Sequence, residues 1–234
     1  MFTQSARYYD ALYSFKDYRR ESQILLDLVS GKEGGTLLDV ACGTGKHLEC
    51  LRTDFDCEGL DLDRELLAIA GDRLPGMPLY HADMTAFNLD KTFDVVTCLF
   101  SAIGFAETVD RLNAAMRCIS AHTKPDGVVI VEPWLPPEVW DPSRVHALFI
   151  DEPDLKIARM SVPSLEGRVS VLRFEYLVAT PAGIERISEV HRLGLFTDAE
   201  YVASFRDAGL DVHFVEGGLT GRGLYVGRRP KADF

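Results

Sequence analysis

A short segment near the start of the chain, LLDVACGTG at positions 37–45, has the residue types and spacing of a turn that holds a nucleotide-like ligand. An apolar run that contains Asp39 stops at Gly43 and Gly45. A strand that ends in a tight glycine turn and continues into a helix brings backbone N–H groups close to a ligand. The dinucleotide-binding fingerprint needs a third glycine three residues further on, where this chain has Leu48. The spacing therefore disfavours a nicotinamide cofactor.

Three acidic residues stand at the ends of the first three predicted strands, at Asp39, Asp61 and Asp83. Ligands of doubly wound α/β folds bind at the carboxyl ends of the strands. Asp61 follows Gly45 by 16 residues, close to the spacing at which an acid accepts hydrogen bonds from ribose hydroxyls. Asp83 and Met84 are placed to offer a carboxylate and a soft side chain to an adenine ring. Each acid alone is better explained as a loop carboxylate or helix cap, but the series favours an adenosyl cofactor.

The elements that must position these residues alternate between short apolar runs and helical stretches up to about residue 132, as in parallel α/β units. The pattern predicts strands at 36–40, 56–60, 78–81, 93–99 and 127–131, and helices after Gly45, after Asp63 and over 108–121. Six prolines after residue 132 predict loops. Two long strands at 169–179 and 184–195 then predict an antiparallel insertion over one side of the sheet. A helix at 198–208 and a strand pair at 210–216 and 223–228 follow.

Composition and charge indicate the size of the domain and disfavour several kinds of partner. At 234 residues with 47% hydrophobic residues, the chain can form one large domain with a full core. The net charge of −11 disfavours a nucleic-acid partner, because phosphate binding needs clustered Lys and Arg. The five cysteines form no Cys-x-x-Cys pair, so we expect neither a zinc site nor a disulfide framework. With no leader-like or membrane-spanning stretch, we expect a cytoplasmic protein with no metal and no membrane partner.

The pattern apolar-Asp-x-x-x-Gly-x-Gly resembles the first motif of class I S-adenosylmethionine (SAM) methyltransferases. A narrower resemblance spans nearly the whole chain: it is similar to the N-methyltransferases that act on TDP-linked aminosugars in antibiotic biosynthesis, of the desosamine and mycaminose type. Its motifs are LLDVACGTGKHLE (37–49), VEPW (131–134), EGGLTGRGLYVG (216–227), Tyr-Asp-x-x-Tyr (9–13) and Lys-Asp-Tyr (16–18). All class I enzymes share the glycine motif, whereas VEPW and GRGLYVG are far more discriminating.

The resemblance implies an α/β fold, the Rossmann-like class I methyltransferase fold, with a seven-stranded mixed sheet and an antiparallel β insertion. It implies one domain over 1–234, with four parts in order: an N-terminal helical cap (1–34), a SAM-binding core (35–132), the loop and strand insertion (133–197), and a closing helix and strand pair (198–234). Members of the family are often dimers, so a homodimer is a further expectation.

The resemblance also implies the site residues. The cofactor site would comprise Tyr18, Asp39, Ala41, Gly43, Gly45, Asp61, Leu62, Asp83, Met84 and Phe100. Within it, Asp61 would hold the ribose, and Asp83 and Met84 would contact the adenine. The acceptor site would comprise Tyr9, Ser101, Glu132, Trp134 and Arg222, with Tyr13 and His122 as the catalytic pair. Arg222 would face the nucleotide diphosphate or the sugar rim, because its fork of donors suits phosphate oxygens.

Methyl transfer from SAM to an amine yields S-adenosylhomocysteine (SAH) and requires a neutral amine held in line with the methyl group. A sugar amine can lose its proton to solvent, so Tyr13 and His122 are expected to position the amine, with His122 also a candidate base. Structural roles stay open for Tyr13, Tyr18, His122 and Trp134. Other acceptors (a free amine such as glycine, a hydroxyl or a carbon) and a SAM-binding domain without catalysis also stay open, as do the sugar, the C3 or C4 position and the number of methyl groups.

Overall fold

The structure is a computed structural model that describes residues 4–231. The strands are β1 (Thr36–Val40), β2 (Asp56–Asp61), β3 (Leu79–His81), β4 (Phe93–Cys98), β5 (Thr123–Val131), β6 (His146–Glu152), β7 (Leu155–Glu166), β8 (Val169–Thr180), β9 (Gly183–Gly194), β10 (Asp211–Val215) and β11 (Leu224–Arg228). The α-helices are α1 (Tyr9–Leu12), α2 (Tyr18–Leu28), α3 (Lys46–Leu51), α4 (Arg64–Arg73), α5 (Val109–Ala121) and α6 (Asp198–Asp207). Two 3-10 helices lie at Ala6–Tyr8 and Ala102–Ala106.

Seven strands form one mixed sheet in the order β10-β11-β5-β4-β1-β2-β3. The pairs within β1 to β5 are parallel, and β11 is antiparallel to both β5 and β10. The central strands are buried on both faces, which explains their continuous apolar runs. The predicted class I methyltransferase fold is confirmed, and its parallel strands all end at one carboxyl edge.

β5 begins four residues earlier in the structure than the sequence predicts. The sequence predicts a turn at residues 125–127 with the strand after it, whereas β5 begins at Thr123. Asp126 has a φ of 63°, and the pairing of β4 with β5 shifts register between Phe93 and Val95. The turn residues therefore form an irregularity within the ladder, because one left-handed residue bends a strand without ending it.

The prediction of loops between residue 133 and the first long strand is wrong over most of that segment. β6 and β7 occupy it and pair with β8 and β9 in a separate four-stranded antiparallel sheet, here called the insertion sheet (146–194). Pro163 lies within β7, beyond Ser161, the last β7 residue opposite β6. At that point β7 is an edge strand, where proline is tolerated because its missing N–H costs no ladder hydrogen bond.

Residues 4–21, here called the N-terminal segment, join the insertion sheet to the glycine turn. At one end, Glu189 of β9 accepts hydrogen bonds from the backbone N–H and the hydroxyl of Ser5 at 2.9 and 2.7 Å. At the other end, Asp10 accepts from the Thr44 hydroxyl at 2.8 Å and is paired with Arg73 of α4. The segment therefore crosses the carboxyl edge of the large sheet.

Candidate active site

The glycine turn between β1 and α3 has the backbone that the sequence predicts for close approach of a ligand. Ala41, Gly43 and Gly45 have φ values of 61°, 56° and 74°. A Cβ on Gly43 would meet no atom within 4 Å, whereas one on Gly45 would lie 2.8 Å from Leu74 Cδ1. Gly43 thus leaves open space at the turn, and Gly45 is required for packing against α4.

Two buried carboxyl groups flank this turn. Asp61 accepts hydrogen bonds from the N–H groups of Gly43 and Asp63, both at 2.8 Å. Burial raises the pKa of Asp61 although these hydrogen bonds lower it. Asp39 accepts from the Thr97 hydroxyl at 2.8 Å, and burial raises its pKa to about 6 against the opposing influence of His47 and Thr97. Neither carboxyl group has an ion pair within 4.0 Å in the described part of the chain, so both are available to a polar or cationic ligand.

One pocket at this edge is bounded by the glycine turn, the N-terminal segment and the end of β4. Its lining includes the predicted residues Tyr9, Tyr18, Asp39, Ala41, Gly43 and Phe100, together with Cys42, Thr44, Lys46, His47 and Leu99. Asp39 supplies a buried carboxyl group to this pocket, and Tyr9, Tyr18 and Phe100 supply its aromatic rings. The pocket therefore brings together five of the ten predicted cofactor residues and one predicted acceptor residue, Tyr9.

A buried ionic chain that sequence reasoning missed fastens the N-terminal segment to this pocket. Glu21 accepts from Lys16 Nζ at 2.7 Å through one oxygen and contacts His47 Nε2 at 2.8 Å through the other. Although burial opposes it, these hydrogen bonds with His47 and Lys16 hold the pKa of Glu21 below its usual value. Tyr18 packs edge-on against His47 at 4.9 Å. Lys16 and His47 lie within the quoted motifs, but nothing in their spacing indicates that Glu21 joins them.

The predicted cofactor residues Leu62, Asp83 and Met84 lie at the same carboxyl edge, after β2 and β3. Asp83 accepts from the N–H and hydroxyl of Thr85 at 2.8 Å and is paired with Arg111 at 3.1 Å. Although burial opposes it, the Thr85 hydrogen bonds and Arg111 lower the pKa of Asp83. Met84 packs against the core, and Leu62 is 40% exposed beside Asp61. The roles of Asp83 and Met84 toward adenine, and of Leu62 in the cofactor site, stay predictions.

A strained turn after β4 forms the second half of the site. Phe100 and Ser101 have left-handed φ values of 51° and 62°. The Phe100 N–H donates to Glu132 Oε2 at 2.7 Å, and the Thr220 hydroxyl donates to Glu132 Oε1. Glu132 is fully buried at the end of β5. This carboxylate therefore ties the turn after β4 to the loop between β10 and β11.

Aromatic rings and a guanidinium group line the same region. Tyr13 packs against Phe100 at 5.0 Å and against Tyr9 at 4.7 Å between ring centroids. The Arg222 guanidinium lies 5.1 Å from the Trp134 ring and 6.0 Å from the Phe100 ring. It also donates to the Ser101 hydroxyl at 3.1 Å. The predicted acceptor residues Tyr9, Ser101, Glu132, Trp134 and Arg222 thus meet Tyr13 around Phe100.

Comparisons with known proteins agree with this geometry. Residues 37–127 match the family model described as "Methyltransferase domain". The chain is 43% identical over 228 residues to a dTDP-3-amino-3,6-dideoxy-alpha-D-glucopyranose N,N-dimethyltransferase of Streptomyces fradiae, covering 95% of this chain and 89% of the relative. It belongs to the aminosugar N,N-dimethyltransferase family.

Two solved structures of related methyltransferases superpose closely on this family member. DesVI of Streptomyces venezuelae is 39% identical, with a TM-score of 0.87 over 94% of this chain and 97% of that chain. SAM-bound CalS10 of Micromonospora echinaspora, an amino pentose methyltransferase, is 42% identical, with a TM-score of 0.85 over 94% and 96%. The chain is therefore a SAM-dependent N-methyltransferase.

The pocket of this aminosugar methyltransferase fits its cofactor, SAM. The open space at Gly43 admits a ligand against the backbone, and the buried carboxyl groups of Asp39 and Asp61 suit a ligand that carries ammonium and ribose hydroxyl groups. Among residues 4–231, no cluster of His, Cys, Asp or Glu side chains could hold a metal ion, and no helix is long and apolar enough to cross a membrane.

The prediction that His122 takes part in catalysis is corrected by its position. His122 ends α5 and directly precedes β5, so it lies at the amino edge of the sheet, opposite the pocket. Its Nδ1 donates to the Cys118 carbonyl at 2.7 Å, and its Nε2 accepts from the Leu89 N–H at 2.9 Å. The ring also packs on Phe87 at 4.3 Å. Both nitrogens are thus used by the backbone, and His122 holds the loop before β4 in place.

We expect His122→Asn to lower the stability of the methyltransferase and to leave catalysis nearly unchanged. Loss of the acceptor for the half-buried Leu89 N–H costs about 1–3 kcal/mol of unfolding free energy. Turnover at saturating substrates should stay within about threefold of wild type because no reacting atom lies near this edge. Urea unfolding and steady-state kinetics would measure the two effects, and a loss of roughly three decades in turnover would contradict the structural role.

Asp39 makes the stability of the cofactor-free enzyme depend on pH. Folding raises the Asp39 pKa from 3.8 to about 6, so the protonated form stabilises the fold below pH 3.8 and this contribution is lost as the pH rises through 6. Asp39→Asn should therefore exceed wild type in unfolding free energy at pH 7.5, by on the order of 2–3 kcal/mol at about 1.4 kcal/mol per pKa unit. The excess should shrink at pH 5 in urea unfolding; an equal difference at both pH values would refute the assignment.

Proposed function

We propose that this enzyme methylates the amino group of a TDP-linked amino-deoxysugar, twice in succession, in the biosynthesis of an antibiotic or a similar natural product. The observation that carries the proposal is Arg222, a half-buried guanidinium group beside the Phe100 ring that has no carboxylate within 4.0 Å in residues 4–231. An uncompensated guanidinium group inside a protein of net charge −11 suits an anionic substrate such as a nucleotide diphosphate. The relatives at 38–43% identity are named for substrates of this kind.

The chain's residues would bind, orient and shield the reactants. SAM supplies an electrophilic methyl group on a sulfonium when bound, so no residue has to activate the donor. Asp61 would accept hydrogen bonds from ribose hydroxyls, and Asp39 would face the methionine end. The N-terminal segment would exclude water from the pocket, since Tyr9 and Tyr18 already line it.

Tyr13 would position the neutral acceptor amine. Its ring is held between Tyr9 and Phe100, and its hydroxyl accepts a long hydrogen bond of 3.4 Å from Arg159 Nη1. Orientation of the amine in a dry site can supply roughly 7–11 kcal/mol of the barrier reduction, so a strong base is not required. The amine would lose its proton to solvent before it binds.

Two further expectations complete the proposal. We propose a homodimer, because the outer face of the insertion sheet exposes large apolar side chains. Their exposed fractions are 66% for Phe149, 55% for Met160, 54% for Leu177 and 73% for Ile184. We also propose a cytoplasmic enzyme without a nucleic-acid partner, in agreement with its five free cysteines and its acidic charge. Sedimentation equilibrium of the purified protein would measure the oligomeric state.

The experiment that tests the function is a competition among acceptors. Purified enzyme and SAM would be incubated with TDP-3-amino and TDP-4-amino deoxysugars, a TDP-linked sugar without an amine, and glycine, and products would be identified by mass spectrometry. We expect two added methyl groups on one TDP-aminosugar and none on the sugar without an amine. Methylation of glycine alone, or of the sugar hydroxyl, would refute the proposal.

A further inference from the structure

A second arginine reaches the acceptor region from the insertion sheet. Arg159 lies in β7, and its half-buried side chain lies on the inner face of the sheet. Its guanidinium carbon is 5.5 Å from the centroid of the Tyr13 ring and 5.2 Å from that of Phe174. Its Nη1 lies 3.4 Å from the Tyr13 hydroxyl. Arg159 therefore contacts the same tyrosine that is packed against Phe100.

Arg159 and Arg222 are alike in carrying charge without a counter-ion. Within residues 4–231, no carboxylate oxygen lies within 4.0 Å of either guanidinium group. Three other arginines of the insertion sheet are paired: Arg168 with Glu200, Arg186 with Glu175, and Arg192 with Glu107 and Glu166. Arg173 has no such pair, but it is exposed and so remains solvated. In a chain with 36 acidic and 25 basic residues, counter-ions are abundant elsewhere. A half-buried charge is costly unless a partner compensates it, so these two groups indicate an anionic ligand.

Glu132, whose carboxylate acts electrostatically on Arg222, does not serve as its counter-ion. Glu132 favours the charged form of Arg222 through its field, but both Glu132 oxygens already accept hydrogen bonds, from Phe100 and from Thr220. Burial lowers the pKa of Arg222 despite that field. The donors of the guanidinium group are therefore left to the hydroxyls of Ser101 and Thr220 and to a ligand.

The two arginines contact the same Tyr13–Phe100 ring pair. Arg159 lies against Tyr13, Arg222 lies against Phe100 and Trp134, and the two rings are in contact. Aromatic rings orient the planar guanidinium groups and leave their N–H forks free for phosphate oxygens. We propose that Arg159 of the insertion sheet and Arg222 of the loop between β10 and β11 form a two-arginine clamp on the diphosphate of the acceptor. This inference rests on the proposed function, because it assigns the diphosphate of that substrate.

The clamp gives the insertion sheet a direct part in substrate recognition. A diphosphate offers anionic oxygens on two phosphorus atoms, so each guanidinium group can engage one phosphate in a bidentate manner. The two guanidinium groups would then both be neutralised only when the insertion sheet and the loop between β10 and β11 hold the same substrate. Arg159 thus acts as a specificity residue for nucleotide-linked acceptors over free amines.

Calorimetry with the full-length enzyme, SAH and TDP tests the clamp. Arg159→Gln should weaken TDP binding by about 10-fold to 100-fold, as expected for loss of a charge-assisted bidentate contact, and should leave SAH binding unchanged. Arg159→Lys should recover part of the affinity because it restores the charge without the fork. Arg173→Gln is the matched control, because Arg173 lies exposed on the opposite face of the neighbouring strand β8 and should not alter TDP binding.

Thymidine, which lacks phosphate, separates the clamp from a general disturbance of the site. The clamp predicts equal thymidine affinity in wild type and Arg159→Gln. An unchanged TDP affinity in Arg159→Gln, or an equal loss for thymidine and TDP, would overturn it. If the enzyme methylates a TDP-aminosugar and Arg159→Gln binds TDP normally, the clamp fails and the function stands. If Arg159 is needed for TDP binding but only glycine is methylated, the function fails and the clamp stands.

Discussion

Asp61→Ala is expected to weaken SAM binding by about 10²-fold or more, since each hydrogen bond to a charged group contributes roughly 1.5–3 kcal/mol. Asp61 is 8% exposed at the end of β2, and its two oxygens hold the N–H groups of Gly43 and Asp63. Alanine removes the acceptor for ribose hydroxyls and also releases the glycine turn. Both effects act on the cofactor side, so the KM for the acceptor should change much less.

Calorimetric titration with SAH would measure the loss, and urea unfolding would measure any accompanying change in stability. Asp56→Asn is the control, because Asp56 is exposed at the opposite end of the same strand and should behave as wild type. Asp61→Asn should fall between wild type and alanine, since its amide oxygen keeps one acceptor. A SAH affinity in Asp61→Ala within threefold of wild type would remove Asp61 from the cofactor site.

Glu132→Ala is expected to damage both the fold and the acceptor site. The left-handed turn at Phe100 and Ser101 costs of order 1–3 kcal/mol per strained residue, and Glu132 holds it through the Phe100 N–H. Alanine also leaves the Thr220 hydroxyl and the Arg222 charge without this carboxylate. We expect the unfolding free energy to drop by about 3–5 kcal/mol, because two hydrogen bonds to a buried charged group are lost at roughly 1.5–3 kcal/mol each. The kcat/KM for the acceptor should fall by roughly 10²-fold.

Glu132→Gln separates the two consequences. Glutamine keeps an oxygen acceptor for the Phe100 N–H and so should recover most of the stability, while it removes the negative charge beside Arg222. Urea unfolding and kinetics on both variants, with the exposed Glu138→Ala as control, would measure the effects. Full activity and full stability of Glu132→Ala together would contradict the holding role.

The parallel core and the glycine turn were predictable because their signals are local. The apolar runs, the N-cap at Asp63 and the positions of Gly43 and Gly45 depend on residues close in the chain. The sequence does not predict β6 and β7, because its prolines indicate loops, whereas an edge strand tolerates a proline. The order of elements already disfavours a catalytic His122, because a residue between a helix and the parallel strand after it lies at the amino edge, whereas ligands bind at the carboxyl edge.

By itself the sequence determined the fold class, the glycine turn and the family, because motif spacing and hydrophobic periodicity encode short-range geometry. Only the tertiary structure decided which distant residues meet. Glu21 reaches His47, and Arg159 reaches Tyr13 across 146 positions of the chain. Such contacts arise where the insertion sheet and the N-terminal segment pack over the carboxyl edge, and packing between separate elements leaves no period in the sequence. The tertiary structure also places His122 away from the candidate active site, and it brings two arginines without a counter-ion to the same ring pair.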